Sequence, residues 1–162
     1  MLRITRQTDY GIVLLTQYVG HEPGANFAAK DLASLTRLPV PMVSKILKLL
    51  AKDGLLESQR GAKGGYSLAV PPTDISVARV IAALEGPISM THCVSVDDRG
   101  RESECENTQH CPVRPNWQRI NQVVQDALAR VSIAEMVSDP ANCGPTANFL
   151  KALEQLSEAH AS

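Results

Sequence analysis

The sequence predicts a mainly α-helical protein, a winged helix-turn-helix with a long C-terminal dimerisation helix. Two short amphipathic stretches separated by a proline-containing turn occupy 28–52. A Gly-rich tip between two strand-like runs follows at once, over 55–70. A long apolar stripe at helical spacing then starts near Pro115. Aromatic residues make up only 4% of the 162-residue chain, so Leu, Val, Ile and Ala must build the core. That length suits one domain and an appendage. The expected division is a reader domain over 1–87, a cysteine-rich segment over 88–113, and the long helix with its tail over 114–162.

Residues 5–19 alternate apolar and polar groups at helical spacing, with Tyr10, Val13, Leu14 and Tyr18 on the expected inner face. Pro23 and Gly24 mark a loop. A short helix follows over 28–36, with Leu32, Ala33 and Leu35 available for packing. The run RLPVP breaks it, and Pro41 suits the first turn of the next helix, where a missing N–H costs nothing. That second helix runs to about Lys52 and is stopped by Asp53 and Gly54. Val43, Ile46, Leu47 and Leu50 form its inward stripe, whereas Ser44, Lys45, Lys48 and Lys52 face out. Two short helices joined by a tight turn, the second with a basic outer face, describe a helix-turn-helix. A plain amphipathic helix with solvated lysines fits the same pattern.

The next segment separates the two readings. GLLESQR and GYSLAV have strand composition and flank the tip GAKG, which places a wing directly after the second helix. Gly61, Gly64 and Gly65 allow a tight turn and a close approach to a phosphate backbone. Arg60 and Lys63 can then reach phosphates or enter a minor groove. A nucleotide-phosphate cradle would need P-loop or dinucleotide glycine spacing, and neither is present. Charge agrees. The formal net charge of −1 conceals seven basic and three acidic residues over 28–65, or 7 − 3 = +4, and seven basic against twelve acidic over 66–162, or −5. Such a local excess marks a surface for double-stranded DNA.

After Pro71 and Pro72, DISVARVIAALEG predicts a helix with Val77, Val80, Ile81 and Leu84 inward and Asp74 or Ser76 as its cap. Periodicity is lost over 88–113. In the long helix that follows, Trp117, Ile120, Val124, Ala127, Leu128 and Val131 form one stripe over about four turns. A domain this small covers such a stripe poorly by itself, so a homodimer on a palindromic operator is expected, with intramolecular packing as the alternative. The tail over 148–160 is helix-prone.

No basic start followed by an apolar run marks a signal peptide, and nowhere do eighteen apolar residues run together. A cytoplasmic location is expected, where clustered cysteines serve as ligands more often than as disulfides. Eleven residues separate Cys93 from Cys105 and five separate Cys105 from Cys111. Zinc fingers favour Cys-x-x-Cys knuckles, and none exists here. Three soft sulfur ligands at wide spacing suit an iron–sulfur cluster first. His92 and His110, each beside a cysteine, keep a zinc site open. A metal-free thiol switch is the third option, disfavoured because Glu104 and Glu106 beside Cys105 raise thiolate pKa values. Cys143, beside Gly144 and Pro145, reads as a structural or free thiol.

The stretches MLRITRQTDYGIVLL, ESQRGAKGGYSLA, ISVARVIAALEGPI and CPVRPNWQRIN resemble the Rrf-two (Rrf2) family of bacterial regulators, to which IscR-like and NsrR-like proteins belong. The resemblance spans Met1 to about Met136 and is nearest to the regulators of SUF-type iron–sulfur assembly. It implies a dimeric winged helix joined through the helix after the cysteines, and no enzymatic activity. It also implies Cys93, Cys105 and Cys111 as ligands of a cluster, [2Fe–2S] rather than [4Fe–4S], and repression of SUF-type assembly genes. Ser44, Lys45 and Lys48 would meet the major groove, and Arg60 and Lys63 would anchor the wing. Two features depart from the pattern. The interval from Cys93 to Cys105 is longer than usual, and Arg114 stands where IscR-like members carry a histidine ligand. Asp9 in QTDYG matches the aspartate ligand of NsrR-like members, with His92 and His110 in reserve. The same fold holding zinc or sensing through thiols is the alternative. An iron–sulfur carrier or redox protein is the alternative from another class, against which the +4 reader segment speaks.

Overall fold

The computed structural model describes residues 4–61, 64–91 and 111–137. Helix α1 (Arg6–Thr16) starts where the Thr5 side chain accepts from the backbone N–H of Thr8. Helices α2 (Ala29–Thr36) and α3 (Val40–Lys52) follow. Arg37 closes α2 in the left-handed conformation, with φ of 56°. Pro39 then enters α3 as its N-cap, and Pro41 occupies the first turn as its fixed φ favours. Strands β1 (Leu56–Gln59) and β2 (Gly65–Leu68) pair antiparallel, Leu56 opposite Leu68 and Gln59 opposite Gly65. A 3-10 turn at Pro72–Asp74 leads into α4 (Val77–Glu85), which the Ser76 hydroxyl caps by accepting from Arg79 N–H. Beyond the cysteine segment lie α5 (Arg114–Ala129) and a 3-10 turn at Glu135–Val137.

One apolar core joins these elements. Leu14 and Leu15 of α1, Leu32 of α2, and Val43, Ile46, Leu47 and Leu50 of α3 are fully buried together with Ile75 and Val80. Full burial of each such side chain contributes roughly 1.5–3 kcal/mol. Gly11 brings α1 close to α4, because a Cβ there would collide with Leu84 Cδ1. The chain also returns from α5 onto this core. Val77 N–H donates to Val131 O and Ile133 N–H to Ile75 O, both at 2.8 Å, and the Ile133 side chain is completely buried.

Two expectations about packing change. Val13 does not lie inward; it is exposed, and Ile12 and Leu15 join Leu14 on the covered face of α1. Leu35 is 60% exposed, because α2 presents only Leu32 and Ala33 to the core. The α5 stripe divides: Leu128 and Val131 pack against the core, and the residues before them are more open. Ile120 is 43% exposed, Trp117 and Val124 are half-buried, and the one buried residue of α5 is Asn121. The tail over 148–160 lies outside the described residues.

Candidate DNA-reading face and the stem of the cysteine segment

Helix α3 is the second helix of the helix-turn-helix, and its two faces separate cleanly. The stripe of Val43, Ile46, Leu47 and Leu50 has no exposed surface, whereas Lys45 and Lys48 are exposed and Ser44 is half-buried. With four apolar anchors on one side, the basic side chains can only project away from the core. No acidic residue stands in the first turn of α3 to oppose a phosphate.

The wing is held from behind. Phe27 forms an antiparallel bridge with Tyr66, Phe27 N–H donating to Tyr66 O at 3.0 Å and Tyr66 N–H to Phe27 O at 2.9 Å. A Cβ at Gly65 would stand 2.6 Å from Phe27 O, so only glycine allows this approach. Tyr18, in the turn two residues past the end of α1, donates its hydroxyl to Tyr66 O at 2.9 Å and packs edge-on against the Phe27 ring. Burial, and then the neighbouring Tyr66, push the Tyr18 pKa well above the ordinary tyrosine value. Arg60 is exposed where β1 ends; Lys63 lies outside the described residues.

The other end of α1 is held by α4. Glu85 Oε1 accepts from Thr5 N–H at 3.0 Å, from Thr5 Oγ1 at 2.8 Å and from Thr8 Oγ1, and Gln7 Nε2 donates to Leu84 O at 3.0 Å. Partial desolvation raises the Glu85 pKa, but the bonds from Thr8 and Thr5 outweigh it and leave the carboxyl below its usual value. Asp9 follows Thr8 in this first turn with its side chain exposed. A few residues after Glu85 the chain is held again. Asn121 of α5 bonds the backbone of Ile88 and Met90, just ahead of the cysteine segment.

Of the cysteines, Cys111 is described: a half-buried free thiol three residues ahead of α5. Cys93, Cys105, Cys143, His92 and His110 lie outside the described residues. A free thiol and an exposed carboxylate are chemically able to serve as the soft and hard ligands expected of Cys111 and Asp9. Sequence reasoning missed Thr8, Glu85 and Asn121. The signal for Asn121 was its place in the stripe of Trp117, Val124 and Leu128, where a polar residue interrupts helical apolar spacing. Glu85 acts on Thr5 eighty residues away, and no local pattern encodes such a bond.

A buried-stripe helix with a basic outer face, followed by a braced wing, defines a winged helix-turn-helix regulator that binds DNA. The chain belongs to the Rrf2 family, described as iron-dependent transcriptional regulators, whose model matches residues 4–139. It is 25% identical over 138 residues to the HTH-type transcriptional regulator IscR of Pectobacterium atrosepticum, covering 85% of this chain and 80% of that protein. Among solved structures it is similar to CymR, the global cysteine regulator of B. subtilis, with 28% identity and a TM-score of 0.60 over 85% of this chain and 98% of that one. It is also similar to T. potens IscR, with 25% identity and a TM-score of 0.59 over 88% and 93% of the two chains. These relatives are transcriptional regulators and not enzymes. No described helix is long and apolar enough to cross a membrane.

Proposed function

We propose that this protein is a cytoplasmic, homodimeric regulator that holds an iron–sulfur cluster and represses genes of SUF-type cluster assembly. The observation that carries the reading is the placement of Cys111. A free, half-buried thiol stands three residues ahead of α5, and the 88–91 stretch ahead of Cys93 is bonded to that same helix. The similarity to two IscR proteins supports the choice of ligand group. Cys93, Cys105 and Cys111 would supply three thiolates, and Asp9 the fourth and weakest bond, a hard carboxylate among soft sulfurs. A [2Fe–2S] cluster, when bound there, supplies an iron centre open to oxidation, loss or attack by nitric oxide.

The chain's own residues do the rest. Ser44, Lys45 and Lys48 meet base edges and phosphates in the major groove, and Arg60 and Lys63 fix the wing on the backbone. The exposed Ile120 and Val123, with Trp117 and Val124, present an apolar face to a second copy of α5. A two-fold pair of readers then requires a palindromic operator whose half-site spacing α5 sets.

A second reading is the same fold acting through zinc or cysteine thiols alone, favoured by the similarity to the cysteine regulator CymR. Iron and sulfide analysis of protein purified without oxygen separates the two. Brown protein that loses colour on replacing Cys93, Cys105 or Cys111, but not Cys143, supports the cluster. Colourless protein with stoichiometric zinc, or with no metal, supports the second reading.

A further inference from the structure

The stretch 88–91 leads from α4 into the cysteine segment, and one buried side chain fixes it. Asn121, 8% exposed, accepts from Met90 N–H through Oδ1 at 2.9 Å and donates from Nδ2 to Ile88 O at 3.2 Å. Gln125, one turn further along α5, donates to the same Ile88 carbonyl at 2.8 Å. An amide that both gives and takes across two residues of backbone reproduces a rung of a β-ladder. Packing alone would favour an apolar residue here, since a buried amide gains nothing over hydrocarbon unless its bonds are made. Yet Asn121 is the one buried residue of α5. Both flanks of the cysteine segment thus start from one helix. Met90 stands three residues before Cys93, a reach of about 10 Å at most, and Cys111 stands three residues before Arg114.

We infer that Asn121 is the positioning residue that registers the cysteine segment on α5, so that a change at the cysteines reaches this helix and through it the spacing of the readers. The inference rests on the reading of Cys93 and Cys111 as site residues. Without the Asn121 amide, Met90 N–H would lose this acceptor on α5, and Ile88 O would keep Gln125 as its donor from that helix.

A metal-free measurement tests this in the full chain with Cys105→Ser and Cys143→Ser. The effective concentration of Cys93 towards Cys111 is read from disulfide formation in a glutathione buffer. Asn121→Ala should lower it at least tenfold. Asn121→Asp, which keeps the acceptor for Met90 and loses the donor to Ile88, should fall between. Circular dichroism reports whether each variant folds; if Asn121→Ala does not, Gln125→Ala takes its place with an expected loss of about threefold. In the otherwise native chain, the cluster of Asn121→Ala should be lost to a chelator at least tenfold faster, with cluster-free DNA affinity unchanged. An effective concentration within twofold of the parent overturns the inference, even if the native protein binds iron. A tenfold fall in a protein that takes up no iron would leave Asn121 as a positioning residue and remove the cluster reading instead.

Discussion

The Tyr18 hydroxyl donates to the backbone carbonyl of Tyr66 at 2.9 Å, tying the end of α1 to the second strand of the wing. The same carbonyl accepts from Phe27 N–H, so both of its lone pairs are used. At its other end α1 is bonded through Thr5 and Thr8 to Glu85, the last residue of α4. Helix α1 is therefore a strut between the wing and the junction that leads to the cysteines. Hydrogen bonds fix both of its ends.

Tyr18→Phe should keep the fold and lose about 1 kcal/mol of stability, the usual net worth of one hydrogen bond. Denaturant unfolding measures this. The pH dependence has a definite sign. The folded-state pKa of Tyr18 is raised, so its contribution is complete below the unfolded value of about 10 and is lost as pH rises beyond it. The parent should weaken above that pH more steeply than Tyr18→Phe. Parallel alkaline profiles would show that the hydroxyl is not held as described.

Glu85 predicts the opposite limb. Its folded pKa is lowered, so its contribution is present above the unfolded carboxyl pKa, about 4.3, and is lost as pH falls below that value. Glu85→Gln should unfold at lower temperature than the parent at pH 7, and the gap should narrow on acidification below pH of about 4. Thermal scans at several pH values provide the check. A gap that stays constant down to pH of about 3 would remove the charged carboxylate as the tie to α1.

Gly11→Ala sets two effects against each other. Alanine favours a helix interior by about 1 kcal/mol over glycine. Here, however, the new methyl collides with Leu84, and forcing a group into a packed core costs typically 1–3 kcal/mol. The net expectation is a loss of about 1 kcal/mol by denaturant unfolding. A gain in stability would mean that α1 and α4 stand further apart.

Arg60→Ala combined with Lys63→Ala should weaken binding to many DNA sequences alike, because phosphate contacts carry no base information. The slope of log affinity against log salt should become shallower by about two, one for each phosphate no longer neutralised. Lys45→Ala and Lys48→Ala should instead weaken the operator more than unrelated DNA. Fluorescence anisotropy at several salt concentrations distinguishes the two patterns.

The helix-turn-helix and the wing were legible because their signals are local. Val43, Ile46, Leu47 and Leu50 repeat at helical spacing and all four are buried, and the glycines mark the hairpin tip. Proline and the left-handed Arg37 end α2 where the run RLPVP implied. The first helix was placed well but its inner face was misjudged: Ile12, Leu14 and Leu15 are covered, and Val13, between two of them, is exposed. Helix α5 was found by its stripe, yet periodicity said nothing of what covers it. The polar bonds at Glu85 and Asn121 escaped entirely, since they join residues 31 to 80 positions apart, and no local pattern relates positions so distant.

Coupling between the cluster and DNA is tested most directly by comparing one preparation in two states. Protein purified without oxygen is titrated with DNA from its own promoter, before and after a chelator removes iron, at fixed salt. Operator affinity should change at least tenfold between the states, while affinity for unrelated DNA should not. Cys105→Ala should have the iron-free affinity from the outset. Equal operator affinity in both states, or a preparation holding neither iron nor sulfide, would contradict a cluster-sensing regulator.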